Sequence, residues 1–344
     1  MKRVLVWAIL LCLLVTVGAG AEIEYSFADR EAGVAYMMSN ENYFAGFSQN
    51  DLDYKTQKKG AGMEEYLAFA REQVMDFTEE EKTLIDQGMA WLEKTTTDRG
   101  LSLPALDPVI FIRTTMKEED DAGAYTHGTQ IYFGRYVDRE ALDEVFMTML
   151  AHELFHCMTR SNPRFRKDMY GLIHFAVQDE EYALPDSVLQ AYISNPDVEH
   201  HNACATFIID GQPVDCFTAL VTRKGFEQPG DRFFDSMVGA LVPVDGSDVW
   251  YAPEDAENFD EVFGRNTGYV IDPEECMADN FAYAIVYGLE GMEYPNPEII
   301  EGILDYLAYY HFEPNIGEGI TDCELPEIQM SADADRSIDT TING

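Results

Sequence analysis

Two histidines four residues apart, with a glutamate beside the first, form the run His152-Glu153-Leu154-Phe155-His156. On a helix that spacing sends both imidazoles off one face, where they can meet a single cation. Glu153 falls next to them, placed to act on metal-held water rather than on the metal. A catalytic zinc takes three protein ligands and keeps one position open. The third ligand is not the last histidine of an H-E-x-x-H-x-x-G-x-x-H run, because Thr159 stands at its glycine position and Asn162 at that histidine's. A glutamate on a later helix is the other common solution. The stretch Pro273-Glu274-Glu275-Cys276-Met277-Ala278-Asp279-Asn280-Phe281-Ala282 offers Glu275 and Asp279 on one helix face. Glu275 then binds the metal. Asp279 accepts a hydrogen bond from His152 or His156 and fixes its tautomer. Glu274 is the alternative ligand and Asp279 a further one. Asp272 and Glu275 also fit an N-terminal capping arrangement, in which the carboxylate meets backbone N–H groups.

The H-E-x-x-H helix followed by E-x-x-x-D on a second helix resembles the gluzincin metallopeptidases, the thermolysin-like and lethal-factor-like zincins. The wording P-E-E-x-x-A-D-x-F-A is similar to their glutamate element. Ala124-Tyr125-Thr126-His127-Gly128, running on to Tyr132-Phe133-Gly134, resembles the edge strand that such enzymes place above the zinc to hold extended substrate. The resemblance covers about residues 105–160 and 265–290. It implies an α+β, zincin-like fold, with a mixed sheet, an active-site helix and a helical C-terminal part that carries Glu275. It implies a Zn²⁺ cofactor and a peptide or protein substrate, cut by a zinc-activated water with Glu153 as general base. Hydrolysis also needs an oxyanion donor. The resemblance allows a tyrosine just upstream of the glutamate, which is Tyr269; His174, His200 and His201 are alternatives, and His127 lines the strand entry. The stretch from His156 to Glu275 is longer than in many such enzymes, so an insertion at about 161–268 must account for it. Two other functions fit the same residues: a zincin-fold binding module without catalysis, and a zinc amidase acting on cell-wall material. A lead-in that covers the cleft, as in a zymogen, is a third arrangement.

The elements that position these residues are partly written in the chain. Residues 22–62 form an Asn-, Gly- and Tyr-rich lead-in. A helical pattern runs from about Glu64 to Thr97, and Thr78 with Glu81 gives its second half a capping box. Pro108–Arg113 and Gln130–Gly134 read as strands, with a charged loop from Met116 to Gly123 between them. Asp138 caps a helix that runs to about Arg160. Its apolar positions Leu142, Val145, Phe146 and Met149 continue onto His152, Glu153 and His156, so the chemistry lies on the buried stripe. In the insertion, Ala205–Ile209, the turn Asp210-Gly211 and Val214–Thr222 form a hairpin. Asp272-Pro273 starts the second site helix, and a third runs from about Asn296 to Tyr310. The catalytic domain spans 63–321, and an acidic tail from Asp322 to Gly344 is poorly ordered.

Met1-Lys2-Arg3, the apolar run Val4–Val17 and the small residues Gly18–Ala21 predict a signal peptide over residues 1–21 and a secreted product. The apolar run is short for a membrane span of about 20 residues. The 344-residue chain carries 23 basic against 63 acidic residues, a formal charge of −40. Such a surface repels nucleic acid and anionic membrane. It suits a cationic substrate, or simply keeps an exported protein soluble. Behind the leader stand Cys157, Cys204, Cys216, Cys276 and Cys323, an odd set without a C-x-x-C zinc pattern. Cys204 and Cys216 flank the hairpin and are candidates to pair.

Overall fold

The computed structural model describes residues 23–309; the predicted leader, the acidic tail and Cys323 lie outside them. In chain order the elements are β1 (Tyr25–Phe27), α1 (Arg30–Met38), α2 (Glu41–Ala45), α3 (Gln49–Thr56), α4 (Met63–Gln73), β2 (Val74–Met75), α5 (Glu79–Asp98) and β3 (Val109–Thr114). β4 (Ala124–His127), β5 (Gln130–Phe133), α6 (Glu144–Ser161), α7 (Pro163–Gly171), β6 (Ala176–Val177) and α8 (Asp186–Leu189) follow. The remainder is β7 (Ala203–Ile209), β8 (Gln212–Thr222), β9 (Met237–Pro243), α9 (Phe259–Phe263), α10 (Pro273–Val286) and α11 (Pro297–Tyr309). The fold is mixed α and β.

The first sheet runs β1-β3-β5-β4, and β2 pairs with β3 where β1 stops. β1, β3 and β5 are parallel, whereas β4 is antiparallel and forms the edge. Alternation along the strands separates two cores. Phe111, Ile131 and Phe133 pack with Leu84 and Ile85 of α5 and Phe146 and Leu150 of α6. Ile112, Tyr125 and Tyr132 pack on the other face with Met37 of α1 and Tyr66 and Ala70 of α4. α1 of the lead-in and α4 thus cover the back of the sheet. α5 begins with the predicted capping box, in which Thr78 and Glu81 satisfy each other's backbone N–H. Its Gly88 lets α6 come close: a Cβ there would stand 2.8 Å from Leu150 and 2.9 Å from Phe146.

α6 starts later than the sequence suggests. Asp143, not Asp138, is its cap and accepts from the Phe146 N–H at 2.9 Å. Asp138 is drawn away by a distant partner, the Arg113 guanidinium, at 2.8 Å. Leu142 therefore precedes the helix, and Val145 is exposed. Downstream the stripe is deeply buried, with His152, Glu153 and His156 all under one tenth exposed.

α10 begins at Asp272-Pro273 as expected, and Asp272 caps it through the Glu274 N–H at 2.8 Å. The small Ala278 and Ala282 let α10 lie against α6, where Phe155 and Phe281 meet at 5.4 Å between ring centroids. Burying each such ring stabilises by about 1.5–3 kcal/mol, which fixes the spacing of the two site helices.

Between α6 and α10 the chain builds an antiparallel sheet, β6-β7-β8-β9. Its β7–β8 hairpin turns at Asp210-Gly211, both at positive φ (49° and 71°), as a two-residue primed turn requires. β8 supports α10 directly, because Thr218 Oγ1 donates to Asp272 Oδ2 at 2.7 Å. On β9, a side chain at Gly239 would run into the backbone of Ile271, so glycine there admits the approach to α10. Cys204 and Cys216 do not pair; both are free thiols. Cys204 faces Phe217 in the ladder and Cys216 faces Ala205. That offset of one residue turns the two side chains to opposite faces.

Candidate metal centre

α6 presents His152 and His156 with ring centroids 4.8 Å apart, and α10 presents three carboxylates opposite. His152 Nδ1 donates to Asp279 Oδ1 at 2.9 Å. His156 Nδ1 donates to Glu274 Oε1 at 2.9 Å. A carboxylate on each Nδ1 turns both Nε2 atoms inward. There they approach Glu275: His152 Nε2 is 3.2 Å and His156 Nε2 3.6 Å from Glu275 Oε2. Glu275 takes no part in capping. Its other oxygen accepts from Asn195 Nδ2 at 2.6 Å.

The donor set fits a zinc ion. Ligand atoms of His152, His156 and Glu275 lie within 4.8 Å of one another. A tetrahedral zinc with bonds near 2.0–2.1 Å separates its ligands by about 3.3 Å, close to the 3.2 and 3.6 Å found here. His156 Nε2 is buried without a hydrogen-bond partner, an expensive condition unless something binds it. Charge points the same way. Four buried carboxyl groups, Glu153, Asp197, Glu274 and Glu275, and the half-buried Asp279 surround two imidazoles, an acidic set that favours a cation among them.

The titrations follow from this crowding. Burial pushes the His152 pKa down, but the carboxylates of Asp279 and Glu275 outweigh it and hold it well above the usual value. Glu275 moves the opposite way: burial raises it, and the His152 and His156 rings carry it below the carboxylate range. Glu274 is likewise lowered against its burial by the hydrogen bonds of His156, Thr159 and Tyr170. Glu153 is pushed up to about 8, first by burial and then by the Asp197 carboxylate. Its Oε2 has no hydrogen-bond partner.

The sequence-derived residues His152, Glu153, His156, Glu275 and Asp279 are thus brought together. Glu274, the alternative ligand in the sequence, instead lies on the outer nitrogen of His156, where it also accepts from Thr159 Oγ1 at 2.6 Å and Tyr170 OH at 2.5 Å. Tyr269 lies beside His152, ring centroids 6.3 Å apart. Burial, then Glu275, raises its phenol pKa well above the usual value, so it remains a proton donor. The other histidines stay apart. His200 pairs with Glu181, His201 bonds Tyr192 and Thr218, and His174 is exposed at a positive-φ position. His127 is on β4 against the Tyr43 ring.

Asn195, Asp197, Arg160 and Tyr170 are site residues that sequence reasoning passed over. Asn195-Pro196-Asp197 lies in irregular chain between α8 and β7, and only its turn-forming composition is visible in the sequence. The chain matches no protein-family profile, no curated protein and no solved structure.

Proposed function

We propose that this chain is an exported zinc metallopeptidase of gluzincin type, with a zincin-like fold. The observation that carries the reading is the convergence of two imidazole Nε2 atoms on Glu275, each imidazole held from behind by its own carboxylate. The mixed sheet with an antiparallel edge strand beside α6 supports the zincin-like arrangement. The predicted leader supports export, and no helix among the described residues is long and apolar enough to cross a membrane. The acidic surface suits a peptide rather than a nucleic acid partner.

His152, His156 and Glu275 would hold the zinc ion, which supplies Lewis-acid polarisation of the scissile carbonyl and acidifies water. Glu153, unpaired and beside the ligands, takes the water proton and returns one to the leaving amine. Its pKa, raised to about 8 by burial and Asp197, would fall beside a dication, which frees the carboxylate to accept that proton. Tyr269, kept protonated, is the donor toward the developing oxyanion. The unpartnered Oε2 of Glu153 favours catalysis over a binding module, which needs no base.

The test is cleavage of a peptide library by the zinc-loaded chain, wild type beside Glu153→Gln, with zinc content measured on both. The variant is expected to keep its zinc and to lose roughly 10²–10⁴-fold in rate. Equal cleavage by the two proteins, or full zinc retention by His156→Ala, overturns the proposal.

A further inference from the structure

A groove of about 1040 Å³ lies beside β4, between α2 and the chain that follows α8. That is ample for a ligand, since small-molecule sites run to roughly 300–1,000 Å³. The groove meets the metal centre at Asn195, which lines it and donates from Nδ2 to Glu275 Oε1 at 2.6 Å. His127 reaches the groove from β4. It is only 7% exposed, and neither ring nitrogen has a hydrogen-bond partner among the described residues. Its neighbours are the rings of Tyr43, Tyr125 and Tyr132, at 4.6, 5.6 and 5.8 Å between centroids. Burial, then the Arg160 and Lys55 cations, hold its pKa well below the usual value. The imidazole is therefore neutral, with one nitrogen a donor and the other an acceptor. A buried polar ring with both functions unmet is uncommon, and this one faces the groove.

The groove is unlike the rest of the chain in charge. The sequence is 25% Asp, Glu, Lys and Arg, yet those types supply only Glu41 and Glu199 among the described residues that line it. Amide, hydroxyl and aromatic side chains take their place. Asn42, exposed on α2, offers two donors and an acceptor. Tyr43, Phe47 and Tyr192 offer ring faces, whose negative quadrupole attracts polarised C–H groups. A sugar ring carries both kinds of group, hydroxyls around its rim and C–H bonds on its faces, and no charge. A peptide would instead add as a strand to the edge of β4. Residues 195–199 cover that edge. Thr126 N donates to Asp197 Oδ1 at 2.7 Å, and Gly128 N to Glu199 Oε1 at 3.0 Å. Arg160 ties the cover down through Thr126 Oγ1, the Gly128 carbonyl at 3.2 Å and the Asp197 carbonyl at 3.0 Å.

We propose that this groove binds a neutral oligosaccharide, with His127 as its buried hydrogen-bonding group, and that the metal centre acts on peptides carrying such a glycan beside the bond that is cut. The choice of substrate rests on the metallopeptidase reading above; sugar binding does not.

The experiment titrates the full chain with chitotriose, with maltotriose and with an alanine hexapeptide blocked at both ends, by calorimetry, once with zinc and once with EDTA. The two sugars separate acetylated from plain rings. At least one is expected to bind, equally with and without zinc, and more tightly than the peptide. His127→Ala should weaken that binding about ten-fold, as the loss of one or two hydrogen bonds does. Asn42→Ala, at an exposed position where folding is not at stake, should weaken it about three-fold or more. Binding of neither sugar, or affinities that both substitutions leave unchanged, overturns the proposal. Binding of the hexapeptide alone makes the groove a peptide subsite and overturns it equally. The zinc-loaded chain should then cut a glycopeptide faster than the same peptide without its sugar, and His127→Ala should narrow the gap. Equal rates on the two overturn the choice of substrate. A chain that binds sugar but holds no zinc upholds the groove and overturns the metallopeptidase reading.

Discussion

His156 Nδ1 sits 2.9 Å from Glu274 Oε1, and the opposite ring nitrogen points into the site with no hydrogen-bond partner. The bond does more than anchor a ring. Glu274 is itself fixed by Thr159 and Tyr170, so the tautomer and angle of His156 are set by a buried network rather than by the helix alone. Asp279, steadied by Thr267, does the same for His152. Each imidazole thus offers its inner nitrogen already oriented.

Glu274→Gln should therefore weaken metal binding without removing a ligand. The expected loss is about 10–100-fold in zinc affinity, read by competition with a chromophoric chelator. Unaltered affinity would show that Glu274 acts only in packing. Glu275→Gln, by contrast, should abolish stoichiometric binding, which separates a ligand from its support.

The positioning of α6 depends on the contact across Gly88. Gly88→Val puts side-chain atoms where Phe146 and Leu150 already stand. Overpacking of that kind costs about 1–3 kcal/mol, so the urea midpoint should fall. A variant as stable as wild type would mean that the two helices can part at no cost.

Behind β4 lies a second group of buried charges, and it makes stability depend on pH. Burial pushes Glu118 up to about 7, and its Oε2 has no hydrogen-bond partner. Its folded pKa lies above the unfolded value near 4.5. Between these two values the folded state binds more protons than the unfolded one, so stability falls as pH rises. The contribution is fully present below about pH 4.5 and is lost through about pH 7. Asp120, also raised to about 7 by burial, adds to the same slope. Urea titrations from pH 4.5 to 8 should show the decline, and Glu118→Gln should flatten it and be more stable than wild type at pH 8. A wild-type midpoint that rises over this range contradicts the assignment.

What the sequence made legible was local. Thr78 with Glu81, and Asp272 with Pro273, mark helix starts because the cap and its N–H partners are a turn apart. The facing of His152, Glu153 and His156 followed from helical spacing alone. Where a distant partner competes, the local reading failed. Asp138 looks like a cap, but Arg113 takes it, and Asp143 serves instead. Cys204 and Cys216 look paired until the ladder register sets them on opposite faces. Residues 195–199 have no periodicity to betray them. Their relation to β4 and α10 exists only after three separate parts of the chain have met.

Arg160 is the common partner of the edge strand and the covering segment, touching Thr126, Gly128, Asp197 and Glu199. Replacing it by alanine removes these contacts but leaves His152, His156 and Glu275 in place. Removing one buried partner also leaves Glu199 and Asp197 less compensated, which further favours release of the segment. Amide exchange in Arg160→Ala should therefore quicken at residues 126–128 and 195–199, while α6 upstream and α10 keep their protection. Hydrogen-exchange mass spectrometry on the zinc-loaded chain reads both regions in one experiment. Faster exchange throughout α6 and α10 would mark Arg160 as a general support of the fold. Exchange confined to the edge and its cover would mark it as the residue that keeps the two together.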